Sequence, residues 1–191
     1  MEVKAEKINP YDNERSKTQQ VKDMFDSIAP AYDFMNRMMT FGIDKLWRAR
    51  AVKMLRRHSP RLILDVATGT GDLALLLHRK LNPHQLTGID LSPNMIARAQ
   101  AKAVDAGIAH KVSFMTGDCL ALPFGAETFD CITVAYGVRN FQDLSAGYRE
   151  MLRVLRPGGR IVILELSTPS SALVRPFYKL YTRGVIPAAG R

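Results

Sequence analysis

Apolar and polar positions alternate along this chain in two distinct rhythms. From residue 62 onward, short apolar runs at 62–66, 85–89, 112–115, 130–135 and 161–166 read as strands. Between them lie stretches in which apolar residues recur every three or four positions, at 72–81, 93–106 and 144–155, and these predict helices. Gly107 closes the second helix, and the turn Arg156-Pro157-Gly158-Gly159 separates the third from the last strand. Regular alternation of strand and helix predicts an α/β fold with a doubly wound, mainly parallel sheet. After the fifth strand come Pro169 and a predicted helix over 173–183, with no room for two more strands, so the chain is expected to be shortened at its C-terminus.

The first 60 residues keep only the helical rhythm. Residues 1–14 are polar and broken by Pro10 and Asn13, and are expected to be loosely attached. A helix follows from Thr18 with Val21, Phe25 and Ile28 on one face, ended by Pro30. A short helix then carries Phe34, Met35, Met38 and Met39 as far as Gly42. A third runs from Asp44 to Arg57, with Ile43, Trp47, Ala51 and Leu55 expected inward and Lys45, Arg48, Lys53 and Arg56 outward. The expected division is residues 1–58 as an arm with helices and 59–191 as the α/β domain.

With 191 residues and 47% hydrophobic content, the chain can bury one full core. Neither a signal-like apolar segment nor a run long enough to span a membrane is present, which leads to the expectation of a cytoplasmic protein. Cys119 and Cys131 lack metal-ligand spacing and are expected to be reduced thiols. The net charge of +9 matters through its placement, because the seven Lys and Arg from Lys45 to Arg61 meet no acid after Asp44. A nucleic acid, an anionic membrane surface or a solvated helix face each fits that run.

The candidate chemistry sits after the first strand. Gly69, Thr70 and Gly71 make a tight turn into a helix, and Asp90 ends the second strand about 20 residues on, where a nucleotide-binding βαβ unit keeps its ribose carboxylate. Gly69, Gly71 and Ala74 also satisfy a dinucleotide fingerprint, so NAD and S-adenosylmethionine both remain open on the glycines alone. Asp65 and Asp72 favour the second, since acids around the turn oppose a pyrophosphate and suit a sulfonium and an ammonium. Ligands of such sheets bind beyond the strand C-termini. That rule selects Asp65, Asp90, Asp118, Tyr136, Arg139, Asn140, Glu165 and Ser167, and removes all four histidines as candidate bases.

Six blocks carry a resemblance. VKDMFDSIAPAYDFMNRMMTFGIDKLWR, LDVATGTGD, TGIDLSPNMIARAQ, GDCLALPF, FDCITVAYGVRNF and YREMLRVLRPGGRIVILELSTP are spread over the range from residue 21 to residue 169. Together they resemble the ubiquinone/menaquinone biosynthesis C-methyltransferase family. The resemblance implies a Rossmann-like fold of the adenosylmethionine-dependent methyltransferase type. It further implies methyl transfer to a ring carbon of a polyprenylated quinol, either demethylmenaquinol or a methoxylated benzoquinol of ubiquinone synthesis. By position, Thr70, Asp90, Asp118 and Cys119 would bind S-adenosylmethionine alongside Gly69 and Gly71, with Asp90 on the ribose and Asp118 with Cys119 at the adenine. The family's serine before the aromatic of the FGLRN-type motif is replaced here by Ala135. A ring carbon becomes nucleophilic when its neighbouring hydroxyl ionises, so Arg139, with Asn140 beside it, is the candidate catalytic pair. An ion pair of Arg139 with Asp143 or Glu150 is the structural alternative. Phe25, Phe34, Met35 and Met38 are expected to line the tail's route, with the first 58 residues as a substrate cap. Peripheral membrane association follows from such a tail. No nucleic-acid partner is expected, since NPPY-type and catalytic-cysteine loops are lacking. A non-catalytic adenosylmethionine-binding protein is the remote alternative.

Overall fold

Strand β1 (Leu62–Val66) sends Ile63 to one side and Leu64 and Val66 to the other, the two-residue period of an extended chain. Strands β2 (Gln85–Asp90), β3 (Val112–Thr116), β4 (Phe129–Ala135) and β5 (Leu155–Leu164) complete a parallel sheet of order β3-β2-β1-β4-β5. This is the architecture of the computed structural model, which describes residues 6, 9–11 and 14–166. Every ladder is parallel, with Asp65 opposite Gly88 on one flank and Thr133 on the other. The strand order reverses between β1 and β4, so a crevice opens beyond their C-terminal ends.

Six α-helices accompany the sheet among the described residues. Helices α1 (Lys17–Ile28), α2 (Tyr32–Thr40) and α3 (Asp44–Leu55) precede it, and α4 (Asp72–Leu81), α5 (Pro93–Asp105) and α6 (Leu144–Val154) alternate with its strands. Leu73, Leu77, Ile96 and Ala99 from α4 and α5 pack with Val52 and Leu55 of α3 on one face of the sheet. Met151 and Val154 of α6 pack with Phe129, Ile132 and Phe141 on the other. Helices on both faces bury the strands on both sides, which is why β1 and β4 are continuously apolar apart from Asp65 and Asp130 with the threonine at 133.

Two predicted features shift. Strand β5 starts at Leu155 and not at 161, and the Arg-Pro-Gly-Gly turn lies inside its bounds as an irregularity, since Phe129 pairs with Leu155 but Cys131 with Arg160. Gly158 supplies the positive φ that this bulge needs. Helix α3 is rotated by about one position from its predicted face. Asp44, Arg48, Ala51, Val52 and Leu55 are buried, while Ile43 is exposed and Trp47 is on the border of exposure. The cause is an ion pair. Arg48 turns inward to meet Asp44 at 2.8 Å and Asp72 at 2.8 Å, so Trp47 reaches the sheet only edge-on against Tyr136, with ring centroids 6.5 Å apart. The predicted helix over 173–183, Pro169 and Ser167 lie outside the described residues.

Candidate active site

The crevice is built from the ends of four strands. Gly69 follows β1, Asp90 ends β2, Asp118 and Cys119 follow β3, and Ala135, Tyr136 and Gly137 close β4; all line one cleft. Val21 and Phe25 of α1, Tyr32 and Asn140 complete its wall. The cleft encloses about 660 Å³, its open mouth included, a size suited to a nucleoside-sized ligand.

Asp90 is the best-prepared ligand group in the cleft. Gly69 N–H donates to its Oδ2 at 2.8 Å and Ser92 N–H to its Oδ1 at 3.0 Å. Each oxygen keeps a lone pair for a further donor, such as a ribose hydroxyl. Burial raises its pKa, an effect the two backbone donors oppose. Gly69, at φ +56°, brings the turn over this acid, and an added Cβ would sit 3.8 Å from the Tyr32 ring. Beside it, Asp118 Oδ1 accepts from Leu120 N–H at 2.9 Å. Burial, with Asp118 adding to it, pushes the Cys119 thiol far above its ordinary range, so it stays a neutral wall and not a nucleophile. Ile89, Leu91, Leu120 and Phe141 give the same region apolar surface for a base. An adenosine with its ribose on Asp90 and its base beside Asp118 and Cys119 fits this donor set.

Thr70 and Gly71 do not line the cleft. The Thr70 hydroxyl donates to Asp33 Oδ1 at 2.6 Å and accepts from Lys102 Nζ at 3.0 Å, so it faces α2 and α5. Gly71, at φ +81°, serves packing, since a Cβ there would come within 2.9 Å of the Phe114 ring. Nor do Asp65 and Asp72 offer free charge to a ligand. Asp65 is fully buried and accepts from the hydroxyls of Thr68 at 2.6 Å and Thr133 at 2.5 Å; burial pushes its pKa up to about 6 despite them. Burial also works against ionised Asp72, but the hydrogen bonds and charges of Lys102 and Arg48 outweigh it and hold its pKa below the usual range. The preference for a cationic ligand drawn from these two acids therefore passes to Asp90 and Asp118.

Arg139 and Asn140 sit in a short 3-10 helix, Val138–Asn140, directly after β4. Asn140 lines the cleft. Arg139 stands at its rim with a half-exposed side chain and pairs with Glu165, which follows β5. Asp143 and Glu150, the partners considered from sequence, are occupied elsewhere: Asp143 caps α6 through Ala146 N–H, and Glu150 holds Arg153 and Leu122 N–H. Of the apolar residues expected along the tail's route, Phe25 reaches the cleft, whereas Phe34 is 70% exposed and Met38 41% exposed on the outside of α2.

Three positions escaped the sequence reading because their partners are remote in the chain. Asp26 of α1 accepts from Ser92 Oγ at 2.5 Å and Asn94 N–H at 3.2 Å, docking α1 on the start of α5 beside Asp90. Lys17, almost fully buried, donates to the Arg139 carbonyl at 3.1 Å and ties α1 to the 3-10 helix. Lys102 meets Asp33, Thr70 and Asp72 together. The YDFMN block, which contains Asp33, was the one sequence signal pointing there.

Known proteins resemble this chain over most of its length. The model of the ubiE/COQ5 methyltransferase family matches residues 13–191. A demethylmenaquinone methyltransferase of Bacteroides fragilis is 46% identical over the whole of this chain and 78% of its own length. A ubiquinone/menaquinone biosynthesis C-methyltransferase UbiE of Geobacter sulfurreducens is 44% identical over 99% of this chain and 74% of its own. Among solved structures, a putative S-adenosyl-L-methionine-dependent methyltransferase of Methanococcus maripaludis superposes with TM-score 0.63 at 18% identity, covering 94% of this chain and 78% of its own, a likeness of fold alone. The cyclase SpnF superposes with TM-score 0.68 at 25% identity, over 82% of this chain and 62% of its own. Since one neighbour is a cyclase, the fold by itself does not fix the chemistry.

Proposed function

This chain belongs to the ubiE/COQ5 methyltransferase family, and we propose that it methylates a ring carbon of demethylmenaquinol, giving menaquinol. It is an S-adenosylmethionine-dependent methyltransferase. The observation that carries the assignment of the cleft is the Asp90 carboxylate, held by Gly69 and Ser92 N–H groups at the reversal of strand order. S-adenosylmethionine supplies an activated methyl on a sulfonium. The chain's own task is to bind, orient and exclude water. Asp90 takes the ribose hydroxyls, Asp118 and Cys119 flank the base, and the backbone at Gly69 faces the remainder. Phe25 and Tyr32, set edge to face with centroids 6.0 Å apart, cover the cleft from the N-terminal helices, which act as the substrate cap.

A carbon nucleophile needs electron density from an ionised neighbouring hydroxyl. Arg139 supplies a fixed positive charge for that oxygen at the rim, and Asn140 a hydrogen bond from inside the cleft. Glu165 holds the guanidinium in place, and the fork of five N–H donors leaves Arg139 with capacity for a substrate oxygen. Incubation with methyl-labelled S-adenosylmethionine and a panel of reduced quinone precursors tests this reading. Label in the naphthoquinol supports it; label only in a methoxylated benzoquinol moves the assignment to ubiquinone synthesis, the reading that the Geobacter relative's name also covers. Label in neither overturns the quinol assignment.

A polyprenylated substrate must be collected from lipid, and the outer surface of α2 and α3 suits that task. Phe34 and Leu46 are each 70% exposed, and Met54 is also exposed, among exposed Lys45, Arg50, Lys53, Arg56 and Arg57. Apolar groups set among cations are the pattern of peripheral binding to anionic membranes. Among the described residues no helix is long and apolar enough to cross a membrane.

A further inference from the structure

The ammonium of Lys102, on α5, is spent on three oxygens from three parts of the chain. Its Nζ lies 2.6 Å from Asp33 Oδ2, 2.8 Å from Asp72 Oδ1 and 3.0 Å from Thr70 Oγ1, which saturates its three N–H donors. Thr70 in turn donates to the other Asp33 oxygen at 2.6 Å, so Lys102, Asp33 and Thr70 form a closed ring. The ring joins α2 to the glycine turn. Asp72 extends it through Arg48 to Asp44, and Asp44 Oδ1 accepts from Thr40 Oγ1 at 2.8 Å. Three acids and two bases are thus linked, and Lys102 pairs directly with an acid of α2, Asp33.

Both ends of the ring lead to the cleft. Tyr32, the residue before Asp33, is partly buried, and its ring edge would lie 3.8 Å from a Cβ added at Gly69. Gly69, the residue before Thr70, donates its N–H to Asp90. We infer that Lys102 is a positioning residue: it sets the spacing between α2 and the glycine turn, and thereby places Tyr32 and Gly69 about the ligand that Asp90 holds. The inference rests on the cleft being the S-adenosylmethionine site. Without Lys102, Asp33 and Asp72 lose the cation they share while Arg48 stays with Asp72 and Asp44, and repulsion between the two acids drives α2 away from the turn.

The test uses the full chain with Lys102→Met, Lys102→Arg and Asp33→Asn, alone and with Lys102→Met. S-adenosylmethionine affinity is measured by calorimetry well below each melting midpoint, so that only folded protein is compared. Lys102→Met is expected to weaken affinity on the order of tenfold, the size of a coupling transmitted through one network. Lys102→Arg should recover part of the loss, and the double variant should lose no more than the worse single one. A purely structural lysine would lower the midpoint and leave folded-state affinity and KM untouched; that result overturns the inference. Should Lys102→Met fail to fold, Asp33→Asn decides alone, since it breaks the ring from α2. Absence of S-adenosylmethionine binding by the unmutated protein would instead overturn the assignment of the cleft.

Discussion

Replacing Arg139 by Ala separates a methyltransferase mechanism from simple cofactor binding, because the structure limits how much stability the change can cost. The Arg139 side chain is 45% exposed and that of Glu165 21%, so their ion pair is largely screened and worth about 1 kcal/mol or less. For a chain of this length that corresponds to a melting midpoint lower by about 2–4 °C. The backbone contacts survive, since Lys17 holds the Arg139 carbonyl and Glu165 accepts from the Arg139 N–H at 3.3 Å. Turnover should respond far more. If the guanidinium stabilises negative charge on the quinol oxygen as the methyl moves, its loss costs on the order of 100-fold in kcat. Affinity for S-adenosylmethionine should stay at the parent value, because Arg139 makes no contact with Asp90 or Asp118. Arg139→Lys should restore only part of the rate, lacking the planar fork. The assay is methyl transfer to the reduced quinone, run beside calorimetry and thermal melting on the same samples. A fully active but less stable Ala variant would refute the catalytic role, as would a parallel fall in affinity and rate.

Asp65 gives a prediction in pH. Its folded pKa of about 6 lies above the ordinary 3.8, so the folded state holds this proton more tightly than the unfolded state does. The resulting stability is present below the ordinary value and is lost as pH rises through about 6, by about 3 kcal/mol in all. Urea unfolding across pH 4 to 7 should therefore show a flatter pH dependence for Asp65→Asn; an identical slope in both proteins would contradict the assignment. For the α2 and α3 surface, co-sedimentation with vesicles at low salt should favour anionic over neutral lipid. Each basic residue near the surface contributes about 1 kcal/mol there, and equal binding to both would return the helices to plain solvated faces.

The strands and helices of the core were legible because their apolar periods differ and their boundaries carry chemistry, such as Ser92 capping α5 through Met95 N–H. Asp90 and the glycine turn were legible from spacing. Helix α3 was misread for a physical reason. An arginine normally marks an outward face, but Asp44 one turn earlier and Asp72 on α4 together repay the burial of Arg48, and only the first of these lies within reach of a periodicity argument. Thr70 was assigned to the ligand by position, yet its hydroxyl is committed to Asp33 and Lys102, both more than 30 positions away. The Arg139 partner came from the end of β5, which lies beside β4 only in the folded sheet. Sequence spacing thus reports contacts within one βαβ unit well, and contacts that close across strands or return from the N-terminal helices poorly.

The assignment of the cleft stands on S-adenosylmethionine binding against Asp90 at the reversal of strand order. Calorimetric titration of the unmutated protein and of Asp90→Ala with S-adenosylmethionine, and of the unmutated protein with NAD, tests it directly. Asp90→Ala removes the acceptor that the Gly69 and Ser92 N–H groups and the ribose share, and should weaken binding by about 1–3 kcal/mol, the cost of leaving buried polar groups unpaired. Equal affinity in the two proteins, or heat from NAD with none from S-adenosylmethionine, would contradict the account.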